Sequence, residues 1–310
     1  MLDVITITAP VFLIIGLGFA ASLGGLVSRE QVRGIGAFVL NFALPALVIK
    51  ALAERPIGEV FNPWYLLAYG LGSLAVFGLG LAYFRLVRGR GLADAAIAGL
   101  GMSASNSGFV GYPVVVMVAG PTAVLGLALN MVVENLLMIP LALALAESAQ
   151  QRGEGVWHTL RGTFGRLARN PLIIAMLVGV GLSLLGLRLP AVPARVVEML
   201  ASASAPAALF VIGGTLHGVR LGGLLPDMAA ISLGKLALHP LAVAGLFWLL
   251  PPVEPALMAA GILFACAPMM SIYPLVGMRF GLEARCAATL VMATVLSFFG
   301  LSLAIALLQH

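Results

Sequence analysis

The sequence predicts an all-α integral membrane protein with ten transmembrane helices. Of its 310 residues, 61% are hydrophobic and only 9% are charged, whereas a soluble domain carries about 25% charged residues. The long, unbroken apolar runs favour spanning helices over barrel strands, which would appear as short alternating segments. The net charge of +5 comes from basic residues in loops beside these runs. Membrane topology explains that pattern without a nucleic-acid partner.

The ten spans are read from the apolar stretches between charged residues. A spanning helix needs about 20 mostly apolar residues, and Gly120-Pro121 is expected to divide one long uncharged stretch into spans four and five. The predicted spans are 4–26, 34–54, 63–85, 93–119, 121–147, 170–187, 195–218, 226–250, 255–279 and 285–308.

The basic residues of the loops predict the orientation. With ten alternating spans, one face receives twelve arginines and lysines and the other receives four, with Lys235 left inside a span. Because cytoplasmic loops carry the excess of positive charge, we predict a multi-pass protein of the cytoplasmic (inner) membrane with both termini outside. The loop 148–169 would then be cytoplasmic, and its alternating apolar and basic residues favour an amphipathic linker helix.

The two halves of the chain, 1–147 and 170–310, resemble each other. Spans two and seven each carry an interior proline, Pro45 and Pro206, and spans four and nine carry Tyr112-Pro113 and Tyr273-Pro274. Because each half has an odd number of spans, the copies must run in opposite senses through the membrane. This predicts two inverted five-helix repeats, a common plan of secondary transporters.

Spans four and nine are predicted to be discontinuous. Span four contains Asn106-Ser107-Gly108 ahead of Gly111-Tyr112-Pro113, and span nine contains Pro268 and Pro274 around Ser271. Proline removes a backbone donor and glycine weakens a helix. Broken backbone at membrane depth is tolerated only where it is buried in protein or lines a cavity. Half-helix N-termini there would offer N–H groups to an anion, although proline-kinked structural helices would show the same residues.

Several short motifs resemble the auxin efflux carrier family, which includes plant PIN proteins and bacterial organic-acid carriers. They are Asn41-Phe42-Ala43-Leu44-Pro45-Ala46-Leu47, Asn106 to Pro113, Asn170-Pro171-Leu172-Ile173-Ile174 and Ala205-Pro206-Ala207-Ala208-Leu209-Phe210. The resemblance covers essentially the whole chain and rests on the order and spacing of these motifs.

The resemblance implies a fold like that of sodium/proton antiporters. Spans 1, 2, 6 and 7 would form a scaffold, expected as a homodimer, and spans 3–5 and 8–10 a moving transport domain. An asparagine at the position of Asn106 would contact the substrate, whereas Ile272 stands where the family often has another asparagine. The predicted substrate-binding residues are Asn41, Ser105, Asn106, Ser107, Gly108, Tyr112, Pro113, Pro268, Ser271, Tyr273 and Pro274.

Charged residues inside spans are the candidates for ion coupling. Glu134 lies in span five and Lys235 in span eight, and intramembrane charges are expensive unless they function or are paired. Lys235 could instead snorkel to an interface, or form a structural pair with Glu134. His239 and Asn130 lie one helical turn from these charges, on the same faces. The predicted ion-coupling residues are therefore Asn130, Glu134, Lys235 and His239.

No catalytic motif competes with transport. The sequence contains no His-Glu-x-x-His pair, no paired membrane aspartates and no phosphate-binding Gly-x-x-x-x-Gly-Lys loop. We therefore expect no enzyme activity, cofactor or metal site. The predicted function is secondary transport of small organic anions, chiefly carboxylates, across the lipid bilayer by elevator-type alternating access. The same site can serve export or uptake. A sodium-coupled solute carrier of the same fold and a membrane receptor without transport are the alternatives.

Overall fold

The computed structural model describes residues 2–53, 62–149, 169–216 and 225–308. Within these ranges the chain is helical and has no β-strand. The helices are α1 (Leu2–Leu23), α2 (Arg29–Ala53), α3 (Pro63–Val87), α4 (Leu92–Ser103), α5 (Ser107–Ala119), α6 (Thr122–Ser148), α7 (Pro171–Leu184), α8 (Ala191–Thr215), α9 (Leu225–Leu249), α10 (Pro255–Cys266), α11 (Tyr273–Met278) and α12 (Glu283–Leu308).

Each predicted span coincides with one helix or with one interrupted pair. Six of the described helices, α2, α3, α6, α8, α9 and α12, are long and apolar enough to cross a membrane. Span four corresponds to α4 and α5, and span nine to α10 and α11, so both segments are interrupted where the sequence predicts. The predicted amphipathic linker lies almost entirely outside the described residues.

Asparagine and proline define where several helices begin. Asn62 accepts a hydrogen bond from the backbone N–H of Tyr65 at 2.9 Å, and Asn170 accepts one from Leu172 at 2.9 Å. Proline follows directly in both cases, at the first helical position where its missing N–H costs nothing. The Asn170-Pro171 motif is thus a helix-start signal.

Prolines also explain local widening of the helices. Proline clashes with the carbonyl four residues earlier and removes the bond to it, and a wider π-turn relieves that crowding. Four π-helical turns each end two residues before a proline, namely Val39–Ala43 before Pro45, Ser107–Gly111 before Pro113, Val133–Met138 before Pro140 and Gly234–Leu238 before Pro240. These turns contain Asn41, Ser107, Glu134 and Lys235, which agrees with the frequent occurrence of π-turns at functional sites.

The most extensive contacts between the described helices fall in two groups. α1 packs along α8, and α2 packs against α7 and α8. α3 packs on α4 and α9, α4 on α6, and α10 on α6 and α12. At the α1–α8 contact a side chain at Gly213 would collide with the carbonyl of Ile15, and one at Gly18 with that of Phe210. Glycine lets these two backbones touch, as in other membrane helix pairs.

Large apolar side chains cover much of the outer surface. Leu13, Leu86, Trp248 and Leu249 are all more than 70% exposed, for example, at 72%, 80%, 78% and 81%. An exposed apolar surface of this extent suits lipid rather than water. The fold therefore agrees with the composition in placing this chain in a bilayer.

Candidate functional site

The two helix interruptions meet and are hydrogen-bonded to each other. The backbone N–H of Asn106, between α4 and α5, donates to the carbonyl of Pro268, between α10 and α11, at 2.7 Å. Ser105 and Met269 pair beside this bond in an isolated antiparallel bridge. Each interruption thus provides hydrogen-bond partners for unpaired backbone groups of the other. A buried non-helical segment needs such partners.

Asn106 holds this crossing together with its side chain. The side-chain amide Nδ2 donates to Ser271 Oγ at 2.7 Å, and Oδ1 accepts the backbone N–H of Phe109 at 3.3 Å. One residue therefore caps α5 and also links the crossing to the segment before α11. The N–H groups of Ser107 and Gly108, in the first turn of α5, have no partner within the helix by geometry.

Glu134 lies at the N-terminal end of α5. Its Oε1 accepts hydrogen bonds from Ser107 Oγ at 2.8 Å, from the Ser105 backbone N–H at 3.1 Å and from the Tyr69 hydroxyl at 3.4 Å. The side chain is buried, with 3% of the residue exposed. A carboxylate is stabilised at the positive end of a helix, so the local structure accounts for this buried charge.

Lys235 lies at the C-terminal end of α10, the end of a helix that carries partial negative charge. Its ammonium donates to the carbonyl of Ala265, in the last turn of α10, at 2.7 Å and contacts His239 Nδ1 at 2.9 Å. A cation is favourable at this negative end. Lys235 is fully buried, so it does not snorkel. Glu134 and Lys235 make no direct salt bridge among the described contacts. The two groups interact at longer range, and each is held by the end of a different broken helix.

A polar stripe on α3 joins these groups. Tyr65 donates to Asn130 Oδ1 at 2.8 Å, the Tyr69 hydroxyl contacts Ser105 Oγ at 3.0 Å, and Ser73 Oγ contacts His239 Nε2 at 2.9 Å. The three stripe residues are fully buried. The sequence prediction missed them, although their regular four-residue spacing places all three hydroxyls on one face of α3 and could have indicated it.

A cavity of about 360 Å³ opens beside the crossing. Its volume lies within the range of about 300–1,000 Å³ that is usual for small-molecule sites. One wall comes from α2 and from the start of α7, and the other from α5, α6 and the interruption before α11. The polar lining residues are Asn41, Ser105, Asn106, Ser107, Glu134, Asn135, Asn170 and Ser271.

The predicted substrate residues divide into two sets. Asn41, Ser105, Asn106, Ser107, Gly108 and Ser271 all line this cavity. Pro268 contributes the carbonyl that accepts from Asn106. Tyr112, Pro113, Tyr273 and Pro274 do not line it. Tyr112, Pro113 and Tyr273 are buried, and Pro274 lines a second cavity of about 230 Å³, which shares Phe109 and Ser271 with the first.

Lys235, His239 and Asn130 stand behind the cavity wall rather than in it. None of the three lines either of these cavities, and all three are fully buried. Of the four predicted ion-coupling residues, Glu134 alone reaches the first cavity. Glu134 is therefore accessible from the cavity, whereas Asn130, Lys235 and His239 form a buried polar group behind its wall.

A second charged cluster ties together four helix ends outside the cavity. Asp227, at the start of α9, accepts hydrogen bonds from Arg88 at 2.7 Å and from Arg90 at 2.5 Å. Arg285, at the start of α12, pairs with Asp94 of α4 at 2.5 Å and lies 3.7 Å from Asp227. This network joins the end of α3 to the starts of α4, α9 and α12. The sequence alone places these aspartates only at loop edges.

Comparison with known proteins connects this arrangement to transport. A family model described as "Membrane transport protein" matches residues 3–305 of the chain. The chain belongs to this family. It is the auxin efflux carrier family that the motifs at Asn41 and Asn106 indicate, so the resemblance is confirmed.

Three of the related proteins carry transporter names. A protein of Rhizobium meliloti (strain 1021) named "Putative malonate transporter" is 26% identical over 96% of this chain and 93% of its own length. An uncharacterized transporter, YfdV, of Escherichia coli (strain K12) is 25% identical over 76% of this chain and 75% of its own. One from Methanothermobacter thermautotrophicus is 25% identical over 77% of each chain. The chain is accordingly a membrane transporter and not an enzyme.

Proposed function

We propose that this transporter moves small organic anions, chiefly carboxylates, and that the cavity beside the helix crossing is its substrate site. The observation that carries the proposal is the meeting of two interrupted helices at Asn106 and Ser271, beside a cavity of about 360 Å³. Discontinuous helices that cross in this way commonly form the substrate sites of secondary transporters.

The cavity offers neutral donors that suit a carboxylate. The amides of Asn106, Asn135 and Asn41 line it, together with the hydroxyl of Ser271, which accepts from Asn106 and keeps its own proton to donate. The N-terminal turn of α5 adds backbone N–H groups and partial positive charge. Malonate, which appears in the name of the related Rhizobium protein, is a small dicarboxylate of this class.

The two groups of helices suggest how access alternates. In our proposal α1, α2, α7 and α8 form a scaffold, and α3–α6 with α9–α12 form the moving body. The cavity lies between them, with α2 and α7 on one wall and α5 and α6 on the other. Movement of one body past the other would carry the substrate across the membrane. The two bodies draw on both halves of the chain, as an inverted repeat requires.

We further propose an ion-coupling group made of Glu134, Asn130, Lys235 and His239. Glu134 faces the cavity, and the Lys235 side chain donates to the carbonyl of Ala265 at the end of α10. Asn130 and His239 hold the tyrosine and serine hydroxyls of α3 in place. Only a group that meets both the cavity and this network can link substrate binding to an ion.

The remaining proposals concern the membrane, the orientation of the chain in it and the oligomeric state. We place the chain in the cytoplasmic membrane with both termini outside, on the positive-inside distribution of its arginines and lysines. Two copies would associate through the scaffold to form a homodimer.

Flux in proteoliposomes tests the proposed function. Radiolabelled malonate and other small carboxylates would be offered to the reconstituted protein, with pH and sodium gradients imposed separately. Saturable carboxylate flux supports the proposal, and a sodium requirement would favour the sodium-coupled alternative. Folded, reconstituted protein that moves no carboxylate under any gradient would refute it.

A further inference from the structure

The cavity carries an unexpected charge for an anion site. Of the described residues that line it, Glu134 is the only one with an ionisable side chain, and no lysine or arginine is among them. Lys235 lies behind the wall with both its contacts on the protein, at 2.7 Å from Ala265 O and 2.9 Å from His239 Nδ1. A carboxylate entering the cavity would therefore meet another carboxylate.

The hydrogen bonds of Glu134 leave one oxygen for a ligand. The three described donors to this side chain, from Tyr69, Ser105 and Ser107, all bond Oε1. Oε2 takes none of these bonds, and the residue lines the cavity. The titratable and charged groups that face Glu134 from its neighbours are Tyr65 and Tyr69 on α3 and Lys235 on α9, and His239 contacts Lys235.

Two ionised carboxylates would repel each other strongly in this cavity. At about 4 Å and an effective dielectric constant of about 20, the repulsion weakens binding by roughly a thousandfold. Two carboxyl groups that share a site avoid this by holding one proton between them. The shared proton also forms a short O–H···O⁻ bond, which is about twice as strong as a neutral one.

We infer that a carboxylate substrate binds in this cavity with one proton shared between its own carboxyl group and Glu134 Oε2, so that each substrate molecule is carried with one proton. The inference rests on the proposed function, because it needs a carboxylate in this cavity. The proton enters with the substrate on one side of the membrane and leaves with it on the other. Glu134 then returns ionised, as it began.

Substituting glutamine for Glu134 tests the shared proton separately from binding in the cavity. Glu134→Gln keeps the size of the side chain and an oxygen for the donors from Ser105 and Ser107, but it cannot take up a proton. Its amide can donate directly to the substrate carboxylate. The variant should therefore bind carboxylate without taking up a proton and without the pH dependence of the wild type.

Proton uptake on malonate binding tests the inference. Purified full-length protein in weakly buffered detergent would be mixed with malonate at pH 7.5, with a pH-indicator dye recording protons taken up per malonate bound. We expect about one proton for the wild type, and binding that tightens about tenfold for each unit that the pH falls. Glu134→Gln should show no uptake and an affinity that changes less than threefold between pH 6 and pH 8.

Glu147→Gln is the matched control, since it makes the same change on the same helix at a residue that pairs with Arg279 and does not line the cavity. It should keep the proton uptake of the wild type. Malonate binding by the wild type without proton uptake would overturn the inference but leave the proposed function standing. Undiminished uptake by Glu134→Gln would overturn it too, because the proton would then sit on malonate alone. Failure of the folded wild type to bind or move any carboxylate would defeat both.

Discussion

Removing the side chain of Asn106 should disable the crossing of the two interrupted helices. Asn106→Ala deletes the cap on α5, a bond of 3.3 Å to the Phe109 N–H, and the link to Ser271 Oγ at 2.7 Å. Loss of a helix cap costs about 1 kcal/mol, and loss of a side-chain hydrogen bond costs about 1 kcal/mol more. Since 1.4 kcal/mol is a factor of ten, the crossing should be destabilised by roughly 30-fold, before any direct contact with substrate is counted.

The assay is initial-rate malonate uptake into proteoliposomes, with protein amount and orientation normalised. We expect kcat/KM to fall at least 30-fold in Asn106→Ala. Asn106→Ser should lose less, roughly fivefold, because serine still caps a helix well and only the link to Ser271 is removed.

Asn62→Ala serves as the matched control. Asn62 also caps a helix, with a bond of 2.9 Å to the Tyr65 N–H, but it does not line the cavity. Its replacement should cost about 1 kcal/mol of stability from the lost cap, while leaving kcat/KM within about twofold of the wild type. If Asn106→Ala retained uptake within threefold of the wild type, the crossing would not be the substrate site.

Two further substitutions test the packing and the charge network by thermal unfolding in detergent. Gly101→Ala would place a methyl group 2.6 Å from the ring and hydroxyl of the fully buried Tyr273, so we expect a lower Tm from an overpacking cost of about 1–3 kcal/mol. Gly34→Ala, where no atom lies within 4 Å of the new carbon, should leave Tm unchanged or raise it slightly, since alanine favours a helix more than glycine does. A similar fall in Tm for both variants would contradict the close approach of α4 and α11. Asp227→Asn should destabilise by about 1.5–3 kcal/mol, because it removes the charge and one acceptor oxygen of the 1%-exposed residue that Arg88 and Arg90 share. Glu198→Gln, which breaks exposed pairs with Lys50 and Arg195, should cost less than about 1 kcal/mol, and the reverse order would refute the assignment.

The helices and their interruptions could be predicted because their signals are local. Apolar length fixes a membrane helix, and proline and glycine weaken it wherever they occur. Asn106 was predicted from the resemblance to the auxin efflux carrier family, and a buried asparagine in an apolar segment also needs a partner. The structure supplies that partner in Ser271.

The partners of the buried charges could not be predicted from local signals. Glu134 and Lys235 attract each other in any reading of the sequence, yet each is held by the end of a different broken helix, at Ser105 and at Ala265. That outcome depends on which helix end the fold brings to each side chain. Tyr69 was overlooked because a tyrosine in an apolar helix is ordinarily a packing residue, and only its contact with Glu134 gives it a role.

Substrate protection of a cysteine in the cavity tests the central claim most directly. Ile272 lines the cavity and is 43% exposed, whereas the native Cys266 and Cys286 are both buried. Ile272→Cys in proteoliposomes would be labelled with a membrane-permeant maleimide at increasing malonate concentration. We predict that malonate slows the labelling saturably, with a half-effect at its transport KM. An Ile272→Cys protein that transports malonate but is labelled equally fast at saturating malonate would place the substrate elsewhere.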